Sequence, residues 1–182
     1  MSNIPTPATI EDAPQGSQEL LKAVKKQLGS VPNLFRIVSN SPAALGGYLG
    51  LNGALAQGKL NPATRERIAL AVAEFNGCDY CLAAHSYLGE KVAKLSAAEI
   101  LANRKGSSTD AKADAAVRFA LETVRTRGQV NAAAIAKVKA AGYSDAEIVE
   151  IIAHVALNTL TNYMNSVLGT EVDFPVAESL AA

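Results

Sequence analysis

Charge of neither sign is in excess in this chain: 17 Lys and Arg stand against 17 Asp and Glu over 182 residues. With no net charge and no basic cluster, nothing in the electrostatics points to nucleic acid or an anionic membrane surface as a partner. Long apolar runs are also missing. No stretch approaches the ~20 residues that crossing a bilayer requires, and the start, Met1 to Pro7, lacks the basic region and apolar run of a secretory leader. The compartment expected from this is a reducing cytoplasm. Alternating β-branched runs bounded by turns are absent too, which argues against a sheet architecture. Scarcest of all is cysteine, with two residues in the whole chain. In a reducing compartment a lone Cys-x-x-Cys is more often catalytic or metal-binding than a structural staple.

What is present is a globular composition, 49% apolar and 19% charged, in a chain long enough for one core of ordinary size. Residues 1–15, rich in Pro, Thr and Asp, read as a flexible amino-terminal arm, and 16–182 as a single all-α domain. Leu20, Leu21, Val24 and Leu28 recur at helical spacing and Gly29 follows as a stop, predicting a helix over 18–28. Val31-Pro32-Asn33-Leu34-Phe35 begins a short helix. Ser41-Pro42 and Asn61-Pro62 open two longer ones, with proline where its missing N–H is not needed. The second of these runs to Phe75 and breaks at Asn76-Gly77. A further helix carries the thiols towards Val92. Ser96 to Glu99 and Ser144 to Glu147 both fit the Ser-x-x-Glu capping box. Helices over 110–127 and 131–140 lie between them, and the last runs from Asp145 to about Leu168. The predicted architecture is a multi-helix bundle.

Both cysteines and one of the two histidines fall within Cys78-Asp79-Tyr80-Cys81-Leu82-Ala83-Ala84-His85. On a helix, positions 78, 81 and 85 share one face. Cys78 follows Gly77 at the helix start, where unpaired N–H groups and the dipole stabilise an anion. His85 lies one turn past Cys81, placed to take or return a proton. Asp79 opposes thiolate formation unless it points to solvent. If Asn76-Gly77 is a tight turn, the flanking helices run antiparallel. Glu66 then lies ~15 Å back along one and His85 ~12 Å along the other, so the two come level and Glu66 can hold the imidazole. Glu74, by the turn, reads as a solvent-facing glutamate. Buried hydrophobes, a zinc site completed by His154 or Glu66, and a disulfide oxidoreductase are the competing readings of the thiols. No cofactor or metal ligand set is assigned.

The Arg65-Glu66 pair, eleven intervening residues, Cys78-x-x-Cys81 and three more residues to His85 resemble the alkylhydroperoxidase D-like, carboxymuconolactone decarboxylase-like family. Val31-Pro32-Asn33-Leu34-Phe35 and Val172-Asp173-Phe174-Pro175 resemble its peroxidase-related branch. The resemblance implies an all-α fold, a homo-oligomer (trimer or hexamer), and reduction of a small-molecule hydroperoxide at the expense of a thiol or dithiol reductant. It implies Cys81 as the thiol oxidised to sulfenic acid, Cys78 as proton donor and resolving thiol, and His85 with Glu66 as a proton relay. The dipole argument alone favours Cys78 as the attacking thiol. Base proximity at His85 favours Cys81. Some members carry a histidine where this chain has Tyr80. Decarboxylation is not expected, because members with that activity generally lack the Cys pair.

On the last helix His154, Asn158 and Asn162 recur every four residues in a stretch, Ala153 to Gly169, with no charged residue. A solvated face is the simplest expectation. A neutral amide stripe also suits an interface or a pocket wall, where buried polar groups must pair.

Overall fold

The structure, a computed structural model, describes residues 1–178 and 180. The expected domain limit at 182 lies outside them. Among the described residues nine α-helices and no strand are found: α1 (Gln15–Leu28), α2 (Asn33–Val38), α3 (Pro42–Ala56), α4 (Pro62–Asn76), α5 (Asp79–Lys91), α6 (Ala97–Arg104), α7 (Ala111–Arg125), α8 (Ala132–Ala140) and α9 (Asp145–Leu168). The all-α bundle is as the periodicity predicts.

Helix starts follow the side chains that can satisfy the first N–H groups. Ser41, Asn61, Ser96, Asp110, Asn131 and Ser144 each accept from the backbone three residues on. At Ser144 the capping box closes in both directions. At Ser96 it does not. Glu99 turns its carboxylate to Arg67, Asn103, Ser108 and Thr109 instead. The motif is satisfied by sequence in both places, but at Ser96 stronger donors from α4 and the 107–109 loop compete for the glutamate.

Helix α4 is the axis of the fold. It packs against α5, α6, α7 and α9, and Ile68 to Ala73 is buried without a break. A helix apolar on nearly every side belongs inside a bundle. Two apolar clusters lie on either side of it. One gathers α1, α2, α3 and the thiol segment; the other gathers α7, α8 and the first half of α9.

The amino-terminal segment has no helix before Gln15 but is laid against the bundle. Asn3 donates from its backbone to Leu168 O and from Nδ2 to Val167 O, both at 2.8 Å. Asn40 Nδ2 donates to Pro5 O at 2.8 Å, and Ile4 and Ile10 pack on the first cluster. Helix α1 begins at Gln15 rather than 18, which brings Ser17 inside, where its Oγ donates to Ser39 O at 2.7 Å.

Candidate active site

Helix α4 ends at Gly77, whose φ of 63° is left-handed. A side chain there would be strained, and glycine is the residue that turns the chain without cost. Cys78 then adopts an extended conformation as the N-cap of α5, and its Sγ accepts the Cys81 N–H at 3.3 Å. The thiol sulfur thus occupies the position that Ser or Asp holds at the other helix starts, where an anion is favoured. Asp79 points to solvent, so its opposition to the thiolate is relieved by the route the sequence left open.

Cys78 and Cys81 are both free thiols, 1% and 3% exposed. They share a proton unequally. The hydrogen bond from the Cys81 thiol, set against burial, brings Cys78 down from the ordinary thiol value to about 7, with help from the Cys81 N–H, Ser166 and His85. Cys81 is pushed up in turn, first because Cys78 takes the hydrogen bond and then by burial, although Asn165 and Asn162 work against the rise. Cys81 nevertheless is the thiol that lines a cavity of about 250 Å³; Cys78 sits behind it.

Helices α4 and α5 run back along each other, as the turn at Gly77 predicts. The His85 Nδ1 and Glu66 Oε2 atoms meet at 2.8 Å on the cavity wall. Burial lowers the pKa of His85, but the charge and hydrogen bond of Glu66 outweigh it, and the net shift is upward from 6.5. A histidine held against a carboxylate beside a thiol pair can deliver a proton as the imidazolium and take one back as the neutral ring, without bulk water.

Tyr80 ties the outlying motifs to this centre. Its hydroxyl accepts the Leu34 N–H at 3.1 Å, and its ring meets Phe174 edge-on at 5.8 Å. Asp173 caps α2 by accepting the Asn33 N–H at 2.8 Å. Both the 31–35 and 172–175 stretches therefore serve the thiol helix, though they are far apart in sequence. Glu74, expected in solvent, instead pairs with the buried Arg104 at 2.6 Å. A charged partner on α6 overrides the exposure usual for glutamate.

The amide stripe of α9 is buried, so a solvated face is the wrong reading. His154, Asn158, Thr161, Asn162 and Asn165 are each 5% exposed or less. Asn165 Nδ2 donates to Cys81 Sγ at 3.3 Å, and Asn76 Nδ2 donates to Asn162 Oδ1 at 2.8 Å. The outward face of α9 is the apolar one, with Val149, Ile152, Tyr163 and Val167 exposed. Asn165, Asn162 and Ser166 are thiol neighbours that spacing alone did not reveal. The lack of charge from Ala153 to Gly169 was the available signal. Tyr48 and Asn52 of α3 also line the cavity and had none. No group of three or more His, Cys, Asp or Glu side chains that could hold a metal is found among the described residues.

Residues 42–126, which include Glu66, Cys78, Cys81 and His85, match the carboxymuconolactone decarboxylase family. No curated protein matches the chain. Among solved structures, it resembles an uncharacterised peroxidase-related protein with an alkylhydroperoxidase D core from Ralstonia eutropha JMP134. The two are 26% identical over 94% of this chain and 92% of that one, with a TM-score of 0.84. An uncharacterised peroxidase-related protein from Silicibacter sp. TM1040 is 21% identical over 93% and 89%, with a TM-score of 0.79. The debrominase Bmp8 is 20% identical over 94% and 92%, with a TM-score of 0.76. The last two similarities establish a common fold.

Proposed function

We propose, from the chain's membership of the carboxymuconolactone decarboxylase-like, alkylhydroperoxidase D-like family, that it is a thiol-dependent peroxidase. The observation that carries this reading is the division of labour between the thiols: Cys81 faces the cavity beside His85 and Glu66, while Cys78 holds the negative charge behind it. In the reaction, Cys81 passes its proton to the Cys78 thiolate and attacks the terminal oxygen of ROOH. The O–O bond breaks, and the alkoxide takes a proton from the His85 imidazolium and leaves as ROH. Cys81 is now a sulfenic acid. The Cys78 thiol attacks its sulfur, the S–O bond breaks, and water departs with the Cys78 proton. The dithiol has given two electrons and become a disulfide. An external thiol or dithiol of a reducing cytoplasm restores it. Low pKa at Cys78 and attack at Cys81 are compatible here, because the thiolate serves first as base and then as resolving thiol.

Homo-oligomer formation is part of the same proposal, supported by the apolar outward face of α9. Among the described residues no helix is long and apolar enough to cross a membrane.

The test is a thiol count on the reduced protein before and after one equivalent of tert-butyl hydroperoxide. Rapid loss of both thiols is expected, abolished in Cys81→Ser. In Cys78→Ser the reaction is expected to stop at the sulfenic acid. Glu66→Gln and His85→Gln should slow oxidation by about 10²–10⁴-fold, the range of positioned acid–base groups. Thiols untouched by hydroperoxide would refute the reading. If 2,3,4-tribromopyrrole, the compound bound in a cysteine-to-alanine variant of Bmp8, instead consumed the thiols with release of bromide, the same dithiol would be a dehalogenating reductant.

A further inference from the structure

The reaction above gives no task to Asn165, yet its side chain touches the atom that reacts. Asn165 Nδ2 donates to Cys81 Sγ at 3.3 Å, although 84 residues separate the two in sequence. Asn165 is 3% exposed and lines the cavity together with Cys81. Its Oδ1 is buried and has no hydrogen-bond partner among the described residues. A half-satisfied amide costs more in a bundle core than an apolar side chain of the same size. Packing of α9 against α5 therefore does not account for this residue, whereas an N–H group on the sulfur does.

Which end of the amide meets the sulfur follows from the thiol pair. The single Cys81 proton is directed to Cys78, so Cys81 presents only lone pairs to Asn165. An amide oxygen there would set lone pair against lone pair; the N–H group meets an acceptor. Asn162 also draws the Cys81 thiol down, but its Nδ2 makes no hydrogen bond, so the direct donor is Asn165. The backbone of Asn165 is fixed as well. Its carbonyl accepts the cap N–H of Gly169 and the Thr170 N–H, the latter at 3.0 Å. Asn3 of the amino-terminal segment closes on the same turn at Val167 O and Leu168 O. The donor is thus in place before the reaction begins.

The strength of this bond changes along the reaction. In the resting dithiol Cys81 keeps its proton, and a thiol sulfur is a weak acceptor. Once the proton passes to Cys78, the negative charge lies on Cys81 Sγ and the same N–H becomes a charge-assisted donor. Water has little access to replace it at a residue 3% exposed. An interaction stronger in the reacting state than in the resting one raises the rate.

We infer that Asn165 is a further catalytic residue of the thiol site: its Nδ2–H holds the negative charge that Cys81 carries while it attacks. This role rests on the peroxidase reading and deepens it, since it names the group that lets the buried, cavity-facing thiol bear the charge.

Two measurements test it. The first is the rate of thiol oxidation by tert-butyl hydroperoxide in Asn165→Leu, which keeps the size and removes the donor, and in Asn165→Asp, which keeps the shape and offers a carboxylate. A fall of about 10–100-fold is expected for leucine, the scale of one hydrogen bond to a charged group, and a larger one for aspartate. The second is alkylation by iodoacetamide in the Cys78→Ser background, where Cys81 is the only thiol and its thiolate is read without any peroxide. Asn165→Leu should slow alkylation at a fixed pH about tenfold, which is one unit of upward shift in the pH midpoint. A site merely loosened by the substitution would do the reverse, because opening Cys81 to water brings its thiol down towards the ordinary range and speeds alkylation. Slowed alkylation supports Asn165 as the donor to the Cys81 thiolate even if no hydroperoxide oxidises the wild type, an outcome that removes the peroxidase reading alone. A wild type and an Asn165→Leu variant that hydroperoxide oxidises at the same rate, or alkylation unchanged or faster in the variant, overturn the role of Asn165 and leave the peroxidase reading intact.

Discussion

Two opposed effects meet at His85. Burial disfavours the imidazolium, and Glu66 at 2.8 Å favours it by more. At His154 burial comes first and the Arg65 charge adds to it, and together they outweigh the opposing charges of Glu150 and Glu66. The chain has only these two histidines, so proton NMR can follow each alone. One ring should titrate above 6.5 and the other near 4. In Glu66→Gln the first should fall below 6.5, because burial remains and its counterweight is gone. A pair titrating together near the ordinary value would mean that the Glu66 contact is open in solution. The sign for stability follows from linkage. A raised histidine pKa contributes stability that is full below 6.5 and is lost as the pH rises through the raised value. The cost of Glu66→Gln in denaturant should therefore shrink as the pH rises through that window.

The turn from α4 to α5 holds the site together at the next scale. Gly77 is left-handed, and nothing lies within 4 Å of where its Cβ would be. The obstacle to a side chain is thus the backbone conformation alone. Gly77→Ala is expected to cost about 1–2 kcal/mol, and Gly77→Asn less, because asparagine tolerates this region. Urea unfolding monitored by circular dichroism measures both. Equal costs for the two would place the penalty in packing instead. The same two helices were legible in the sequence, since Asn76-Gly77 is a turn signal and the Glu66-to-His85 register follows from helix rise. The second wall of the site was legible only as the alternative to a solvated face. Polar α9 residues read as a surface because hydropathy records side-chain type and not the presence of a thiol to receive Asn165.

Across the whole molecule, Glu99 links parts that are distant in sequence. It is 4% exposed and takes Arg67 of α4 at 2.7 Å together with Asn103, Ser108 and Thr109. Burial opposes its charge, but the hydrogen bonds from Ser108, Thr109 and Asn103 hold the carboxyl well below the usual carboxylate range. A depressed carboxyl stabilises above its ordinary value and loses that contribution as acid is added. Glu99→Ala leaves the half-buried Arg67 without its partner and empties a buried network, and is expected to cost about 3 kcal/mol. It should also flatten the acid limb of the stability profile. Thermal unfolding as a function of pH checks both. An unchanged acid limb would mean that the network is not intact in solution.

Local chemistry alone determined the order of the helices among the described residues, the turn at Gly77, the thiol at a helix start and the level at which Glu66 and His85 stand along their helices. Each depends on neighbours in sequence or on the rise of a helix, which are fixed before any packing occurs. Packing decided which thiol faces the cavity, that Glu99 abandons its capping role for Arg67, and that the amides of α9 point inward. Those outcomes depend on which donor reaches a given acceptor first across the bundle, and that competition exists only once distant helices are side by side.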